Sequence, residues 1–189
     1  MELPADVRLA DLTPESTDLN EGAAILLCEA FRGWNGAWAD LESSRETVRE
    51  SLAPDRISRV AIHPAAGVVG WIGGMPSYGG AVWELHPLAV AESHRRQGLG
   101  RALVEDLERL ARERGGITLW LGSDDELGET TVGGVDVYDD IPGAIRGFRT
   151  LRGHHPAEFY FRLGFRIVGL MPDANGHGKP DIFFAKRLR

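Results

Sequence analysis

The chain has little of what would indicate a secreted or a membrane-spanning protein. It has a single cysteine, Cys28, so no internal disulfide can form. Cys28 lies in the apolar stretch 23–30, and we expect a buried, unreactive thiol. No run of 18 apolar residues occurs, and the first six residues lack the charged and apolar regions of a signal peptide. These absences predict a cytoplasmic protein with no membrane contact.

Basic residues are also outnumbered. The 21 Lys and Arg residues stand against 28 Asp and Glu, which leaves a formal net charge of −7. This balance argues against a nucleic-acid partner and favours a cationic one. None of the six histidines has the spacing of a metal-ligand pair, so we predict no metal site. A length of 189 residues with 43% hydrophobic residues suits a single domain over residues 1–189.

A glycine-rich helix start organises the chain. Residues 83–90 are apolar enough for a buried strand, and residues 99–114 carry apolar side chains at helical spacing. Between them, glycines at a helix N-terminus would leave backbone N–H groups open to an anion. We predict a pyrophosphate site here, although a glycine-rich turn that only begins a helix has the same pattern. The residues predicted to line this site are Leu88, Ala89, Val90, Arg95, Arg96, Gln97, Gly98, Leu99, Gly100 and Arg101.

The order of predicted elements is β-α-α-β-β-β-α-β-α-β-β. Strands are expected at 7–12, 59–63, 68–75, 81–90, 117–121, 166–171 and 181–185. The first helix is expected to be capped by residues 13–15 or by residues 16–18 and to end near Arg32. Further helices are expected from Ser43 or Ser44 to about 52, over 99–114 and over 157–163, with a short one near 144–148. This order predicts an α/β domain whose mixed, largely antiparallel sheet is flanked by helices.

Pro87 breaks the pattern of its strand. Proline has no N–H and is tolerated inside a sheet only at a bulge. A bulge would splay this strand from the one near residue 117 and leave the Leu88 N–H free for a ligand carbonyl and an oxyanion formed from it. A simple kink without a ligand is the alternative.

Glu84 and His86 flank this point, and either could take a proton from an attacking amine. The alternative for His86 is a histidine packed in the core. The alternatives for Glu84 are an ion pair with an arginine or a contact that anchors a cationic substrate.

Tyr160 and an acidic segment are two further candidates for a role in the reaction or in substrate binding. Tyr160 lies on the predicted helix 157–163, and its phenol could protonate a departing thiolate, or it could simply pack on the sheet. Residues 115–145 contain no Lys or Arg but seven carboxylates, which would attract a cationic substrate or form a solvated loop. The predicted substrate-binding residues are Trp34, Tyr78, Glu84, Asp124, Asp125, Asp136 and Asp139. Trp34 could stack on a sugar face or pack in a core or an interface.

These motifs resemble a known family. The strand, Arg-x-x-Gly-x-Gly and amphipathic helix over 83–114 are similar to the coenzyme A site of the GNAT superfamily of N-acyltransferases. Residues 83–88, 115–126, 135–139, 155–160 and 172–182 resemble the aminoglycoside 6'-N-acetyltransferases of the enterococcal and Acinetobacter chromosomal type. The first 60 residues match only in helical layout.

The resemblance implies a GNAT fold and acetyl transfer from acetyl-CoA to the 6'-amine of an aminoglycoside, hence antibiotic resistance, by direct attack in a ternary complex. It implies catalytic roles for Glu84, His86, Leu88 and Tyr160, and a homodimer. A housekeeping acetyltransferase acting on another amine and a coenzyme- or drug-binding protein without turnover remain alternatives.

Overall fold

The structure of the chain is a computed structural model that describes residues 3–4, 6–32, 38, 40–151 and 155–188. The chain divides into two compact units. The first comprises residues 1–117 with 188–189, and the second comprises residues 118–187.

The first unit has a four-stranded sheet of order β1-β2-β3-β4 with antiparallel neighbours. Short 3-10 turns at Tyr78–Gly80 and Glu92–His94 flank β4. The elements are β1 Arg8–Asp11, α1 Thr17–Ala30, α2 Leu41–Ser51, β2 Ile57–His63, β3 Gly67–Ser77, β4 Val82–Val90 and α3 Leu99–Glu113.

The apolar faces of α1 and α2 pack on one side of this sheet. Their buried side chains form one core with Val60, Trp71 and Ala89, which face the same side from three strands. Cys28 is only half-buried, so the prediction of a buried thiol is wrong. The reason is its place at the edge of the α1 face, beside the fully buried Leu27.

Helix α2 begins earlier than its serines suggest. Its N-cap is Asp40, whose carboxylate accepts a hydrogen bond from the Ser43 N–H at 2.8 Å. The predicted starts, Ser43 and Ser44, lie inside the first turn, where their hydroxyls donate to the Asp40 carbonyl oxygen. Asp40 competes successfully because a carboxylate is a strong N-cap and favours the positive helix end.

Helix α3 covers the other face of the sheet, and glycines in β3 let it approach closely. A Cβ atom at Gly70 would lie 2.9 Å from Leu103, and one at Gly74 would lie 2.5 Å from Leu107. Leu99, Leu103 and Leu107 are fully buried as a result. Each such burial stabilises the fold by about 1.5–3 kcal/mol.

The second unit has a three-stranded antiparallel sheet of order β5-β7-β6. Its core includes Phe165, Ile182 and Phe184, all fully buried. The elements are β5 Thr118–Asp124, α4 Ile141–Arg146, α5 Ala157–Arg162, β6 Arg166–Met171 and β7 Asp181–Arg187. The short helix predicted near 144–148 begins earlier, because the Asp140 carboxylate caps it through the Gly143 N–H.

The predicted mixed α/β class with a mostly antiparallel sheet and flanking helices is confirmed. The predicted splay concerns β4 of one unit and β5 of the other, and it stays a prediction. Within the described ranges, no helix is long and apolar enough to cross a bilayer.

Candidate active site

Strand β4 carries a bulge at the predicted proline. Ile72 of β3 stands opposite Leu88 of β4, but Gly74 stands opposite Leu85, so Gly73 alone faces His86 and Pro87. A Cβ atom at Gly73 would lie 2.3 Å from the His86 carbonyl oxygen, a distance that atoms cannot adopt. Only glycine therefore fits against the bulge. The bulge is located in the pairing with β3, whereas a free Leu88 N–H on the other side of β4 stays a prediction.

Glu84 lies on β4 opposite Met75 and is half-buried. Burial raises the pKa of its carboxyl above the ordinary value. No described residue forms an ion pair with Glu84, so the structure does not support the arginine-paired alternative. A partly desolvated carboxylate without a cation is a site for an incoming ammonium group.

His86 is exposed and lines a cavity, which excludes the alternative of a core histidine. The cavity measures about 190 Å³ and lies between α2 and the strands β2, β3 and β4. Ligand pockets commonly measure about 300–1,000 Å³, so this cavity suits one part of a larger molecule. Its lining residues are Trp38, Thr47, Glu50, Ser51, Arg56, Ile57, Gly73, Gly74, Met75, His86 and Pro87.

The start of α3 has the geometry of an anion site. Gly98 is the N-cap with φ of 88°, a backbone conformation that L side chains rarely adopt, and no side chain caps the helix. The first helical N–H groups lack intrahelical acceptors, and the first turn contains no acidic residue. These amides can therefore donate to phosphate oxygens.

The loop before α3 is held by its own side chains. The Arg95 Nε donates to the Val90 carbonyl oxygen at 3.1 Å, and the Gln97 Nε2 donates to the Ser93 carbonyl oxygen at 2.9 Å. Arg96 is exposed, and Arg101 lies 3.4 Å from Glu105. Leu99 is 1% exposed, so only its backbone could contact a ligand. Arg96 and Arg101 are thus the cations best placed to add charge to the site.

Tyr160 is buried in α5 of the second unit. Its ring packs against Phe159, Phe165 and Phe184, with centroids 5.2–5.7 Å apart. Burial raises the pKa of its phenol, so the hydroxyl stays protonated and is a weaker acid than a solvent-exposed tyrosine. This geometry is compatible with both interpretations of Tyr160, as a proton donor and as a packing residue, since a packed ring can still present a protonated hydroxyl.

The four predicted aspartates of the acidic segment differ in their surroundings. Asp125 is 1% exposed, and its carboxylate accepts hydrogen bonds from the Glu129 N–H, the Thr130 N–H and the Thr130 hydroxyl. It anchors its own loop, and the prediction that it binds substrate does not fit this burial. Asp124 is half-buried and accepts from the Asn175 side-chain amide. Asp136 and Asp139 are exposed, so they remain candidates for ammonium groups.

We expect Asp125→Asn to lower the thermal stability of the protein. Hydrogen bonds to a charged acceptor contribute about 1.5–3 kcal/mol each, and an amide can accept through one oxygen only. The melting temperature should fall by several degrees relative to Asp136→Asn, which changes an exposed carboxylate. Equal melting temperatures for the two variants would contradict the anchoring role.

Sequence reasoning missed His155, which is 3% exposed and lies close to the carboxylate of Asp125 in the second unit. Its Nδ1 accepts from the Ala157 N–H at the start of α5, and its Nε2 lies 3.2 Å from the Asp124 carbonyl oxygen. Burial lowers the pKa of His155, which favours the neutral ring that this pairing requires. Its position just before Pro156 and α5 was the available signal.

Two further residues, Trp34 and Tyr78, were predicted to contact the substrate, and both assignments stay predictions. Trp34 lies outside the described residues. Tyr78 is 85% exposed on the turn before β4. The cavity residues Thr47, on α2, and Arg56, in the connection between α2 and β2, were missed, because nothing in their spacing sets them apart from surface positions. Among the described residues, no group of three or more potential ligands could hold a metal ion.

Comparisons with known proteins agree with this geometry. A model of the acetyltransferase (GNAT) family matches residues 25–131, more than half of the chain. No curated protein sequence matches the chain.

Three solved structures are similar over nearly the whole length. An aminoglycoside 6'-N-acetyltransferase complexed with coenzyme A is 38% identical with a TM-score of 0.88. The aminoglycoside 6'-N-acetyltransferase from Enterococcus faecium is 39% identical with a TM-score of 0.84, and an aminoglycoside 6'-acetyltransferase type Ii is 36% identical with a TM-score of 0.72. Each alignment covers 96% of this chain and 97% of the other. With its bulged β4, its uncapped glycine start of α3 and this family match, the chain belongs to the GNAT family of acetyltransferases.

Proposed function

We propose that this protein transfers an acetyl group from acetyl-CoA to the 6'-amino group of an aminoglycoside by direct attack in a ternary complex. The observation that carries the proposal is the 36–39% identity, over 96% of the chain, to three structures of aminoglycoside 6'-acetyltransferases. The reaction forms an amide C–N bond and breaks a thioester C–S bond. The first unit supplies two of the features that it needs, an anion site and an acceptor cavity beside His86.

The residues at the start of α3 fit coenzyme A. The open amides near Gly98 and Gly100, with Arg96 and Arg101, would hold the pyrophosphate. Residues 88–90 at the end of β4 would pair with the pantetheine arm, and the Leu88 N–H would donate to the thioester carbonyl oxygen. Arg95 and Gln97 keep the loop in shape through their backbone contacts. When bound, acetyl-CoA supplies an activated acetyl group.

We propose acceptor-binding roles for two residues of β4 and for two exposed aspartates of the second unit. Glu84 would hold the ammonium form of the acceptor or take its proton, and His86 would orient the sugar ring at the cavity. Asp136 and Asp139, which are exposed, would attract the other ammonium groups. Tyr160 would give its proton to the departing thiolate, since a phenol is protonated at neutral pH.

We further propose that residues 1–189 form one domain that works as a cytoplasmic homodimer and confers antibiotic resistance. The family model spans the boundary between the two units, which supports one domain. Strand β6 lies at the edge of its sheet and exposes Val168 and Met171, which supports a second copy as partner. Acetyl-CoA is a cytoplasmic metabolite. Sedimentation analysis of the purified chain tests the dimer, and drug susceptibility of cells that express it tests resistance.

We expect Glu84→Gln to lower activity but to raise stability. The folded-state pKa of Glu84 is raised, so its carboxyl contributes stability at low pH that is lost as the pH rises through that pKa. At neutral pH the charged group opposes folding, and Gln removes this opposition.

Two measurements check this prediction. The melting temperature of Glu84→Gln should exceed that of the wild type at pH 7 and converge with it under acidic conditions. In the wild type, kcat/KM for the acceptor should fall with decreasing pH at a higher pH than an ordinary carboxyl would give, and this limb should be absent in the variant. A lower melting temperature at pH 7 would show that Glu84 is stabilised by a partner.

The substrate is tested by mass spectrometry after incubation with acetyl-CoA. We expect kanamycin-class aminoglycosides to gain one acetyl group at the 6'-amine, with a kcat/KM well above that for polyamines, amino sugars and peptide amines. Preference for a non-drug amine would make this a housekeeping acetyltransferase. Binding of coenzyme and drug without acetylated product would overturn the enzymatic assignment.

A further inference from the structure

The cavity beside His86 includes a hydrogen-bonded pair that the reaction scheme leaves unused. The Trp38 Nε1–H donates to the Thr47 hydroxyl oxygen at 2.9 Å. The same hydroxyl donates to the Ser43 carbonyl oxygen, one turn earlier in α2, at 3.0 Å. Its proton is therefore committed to Ser43, and an oxygen lone pair faces the indole.

The Trp38 ring connects this pair to the proposed acceptor site. Its centroid lies 4.5 Å from that of Phe31 and 5.4 Å from that of His86. Trp38, Thr47 and His86 all line the cavity of about 190 Å³. An indole has an apolar face for packing and one N–H for orientation, so the Thr47 hydroxyl decides which way the ring faces.

Helix α2 fixes the position of the Thr47 hydroxyl. The Asp40 cap holds the first turn through the Ser43 N–H, and Val48 is buried against the sheet. Thr47 is β-branched, which restricts its side chain to few rotamers in a helix. The hydroxyl position is thus set by the helix, and the position of Trp38 follows from it.

We propose that Thr47 is a positioning residue for the acceptor: it orients Trp38, which forms the wall of the acceptor cavity against His86. This inference rests on the proposed function, because it assigns the cavity to the aminoglycoside. Thr47 itself need not touch the substrate. Its effect should appear in acceptor binding and not in coenzyme binding, since the anion site at α3 contains none of these residues.

Three variants separate this role from a general effect on stability. Thr47→Val keeps the shape of the side chain and removes the hydroxyl. Thr47→Ser keeps the hydroxyl and is the matched control. Trp38→Phe keeps an aromatic ring and removes the N–H, so it completes a double-mutant cycle with Thr47→Val.

We expect Thr47→Val to raise the KM for a kanamycin-class aminoglycoside about threefold to tenfold, the effect of one lost hydrogen bond. The KM for acetyl-CoA and kcat should change less than twofold, and Thr47→Ser should behave as the wild type. In the Trp38→Phe background, Thr47→Val should add nothing. In ¹H–¹⁵N spectra, the indole resonance that is missing in Trp38→Phe should shift in Thr47→Val and not in Thr47→Ser.

Failure of the positioning role and failure of the proposed function would give different results. If the wild type acetylates aminoglycosides but Thr47→Val has unchanged kinetics, or raises both KM values equally, the positioning role is wrong and the proposed function stands. An additive effect in the Trp38→Phe background would show that Thr47 does not act through the indole. If the wild type acetylates no aminoglycoside, the proposed function fails and the assignment of the cavity fails with it.

Discussion

Tyr160→Phe should lower kcat by about 10²–10⁴-fold, the usual contribution of a general acid, while both KM values change little. The variant removes one hydroxyl from a ring that packs among Phe159, Phe165 and Phe184, so the aromatic cluster can stay intact. The departing thiolate would then lack its proton donor. Steady-state kinetics with saturating acetyl-CoA and aminoglycoside give the measurement.

The matched control is Tyr138→Phe, which removes the same hydroxyl from a ring that is 64% exposed. We expect its kcat to equal that of the wild type. The pH profile is a second check: because burial raises the pKa of Tyr160, no alkaline loss of kcat from this phenol should occur near its ordinary value. Unchanged kcat in Tyr160→Phe, with the fold intact by circular dichroism, would restrict Tyr160 to packing.

Gly73→Ala should damage both folding and catalysis. The new Cβ would lie 2.3 Å from the His86 carbonyl oxygen, so the backbone at the β4 bulge must move. Forced overpacking costs about 1–3 kcal/mol of unfolding free energy. Since a displacement of about 1 Å at an active site can cost 10²-fold, kcat/KM for the acceptor should fall by about that factor.

Gly169→Ala provides the comparison, because it adds the same atom inside strand β6. Its nearest neighbour would be Phe183 at 3.4 Å, an ordinary contact. Chemical denaturation should give this variant a free energy of unfolding close to that of the wild type, and its kcat/KM should be unchanged. If Gly73→Ala matches Gly169→Ala in both measurements, the bulge does not position the site.

Local signals were sufficient for most elements. The apolar spacing after Gly98 predicted α3 to within one residue, and Gly164 marks the end of α5, where φ is 90°. Pro87 predicted an irregularity in its strand, since proline has no N–H to donate to a sheet, but the observed bulge lies in the pairing with β3 and not in the predicted pairing with the strand near residue 117. Boundaries failed where two capping residues competed, as at Asp40 and Ser43.

The residues of the candidate site also fall into those that the sequence indicates and those that it does not. The sequence predicts phosphate binding near Gly98, amine binding at Glu84 and proton donation by Tyr160, because each task requires particular residue types in recognisable local settings. These roles stay predictions. The role of Asp125 could not be predicted, because its charge looks the same in sequence as that of the exposed Asp136. The proposed role of Thr47 and the fit of Gly73 against the bulge could not be predicted from the sequence, because each depends on a contact with another element, Trp38 for Thr47 and His86 for Gly73.

The sequence by itself determined the class of the protein: a mixed α/β acetyltransferase with a glycine-rich helix start, since periodicity and short motifs are properties of neighbouring residues. Only the tertiary structure decided which side chains share a space. Burial, and with it the raised pKa of Glu84 and the loop-anchoring role of Asp125, depends on elements that the chain brings together from far apart. Desolvation is a property of the packed surroundings and cannot be inferred from a residue and its neighbours in the chain.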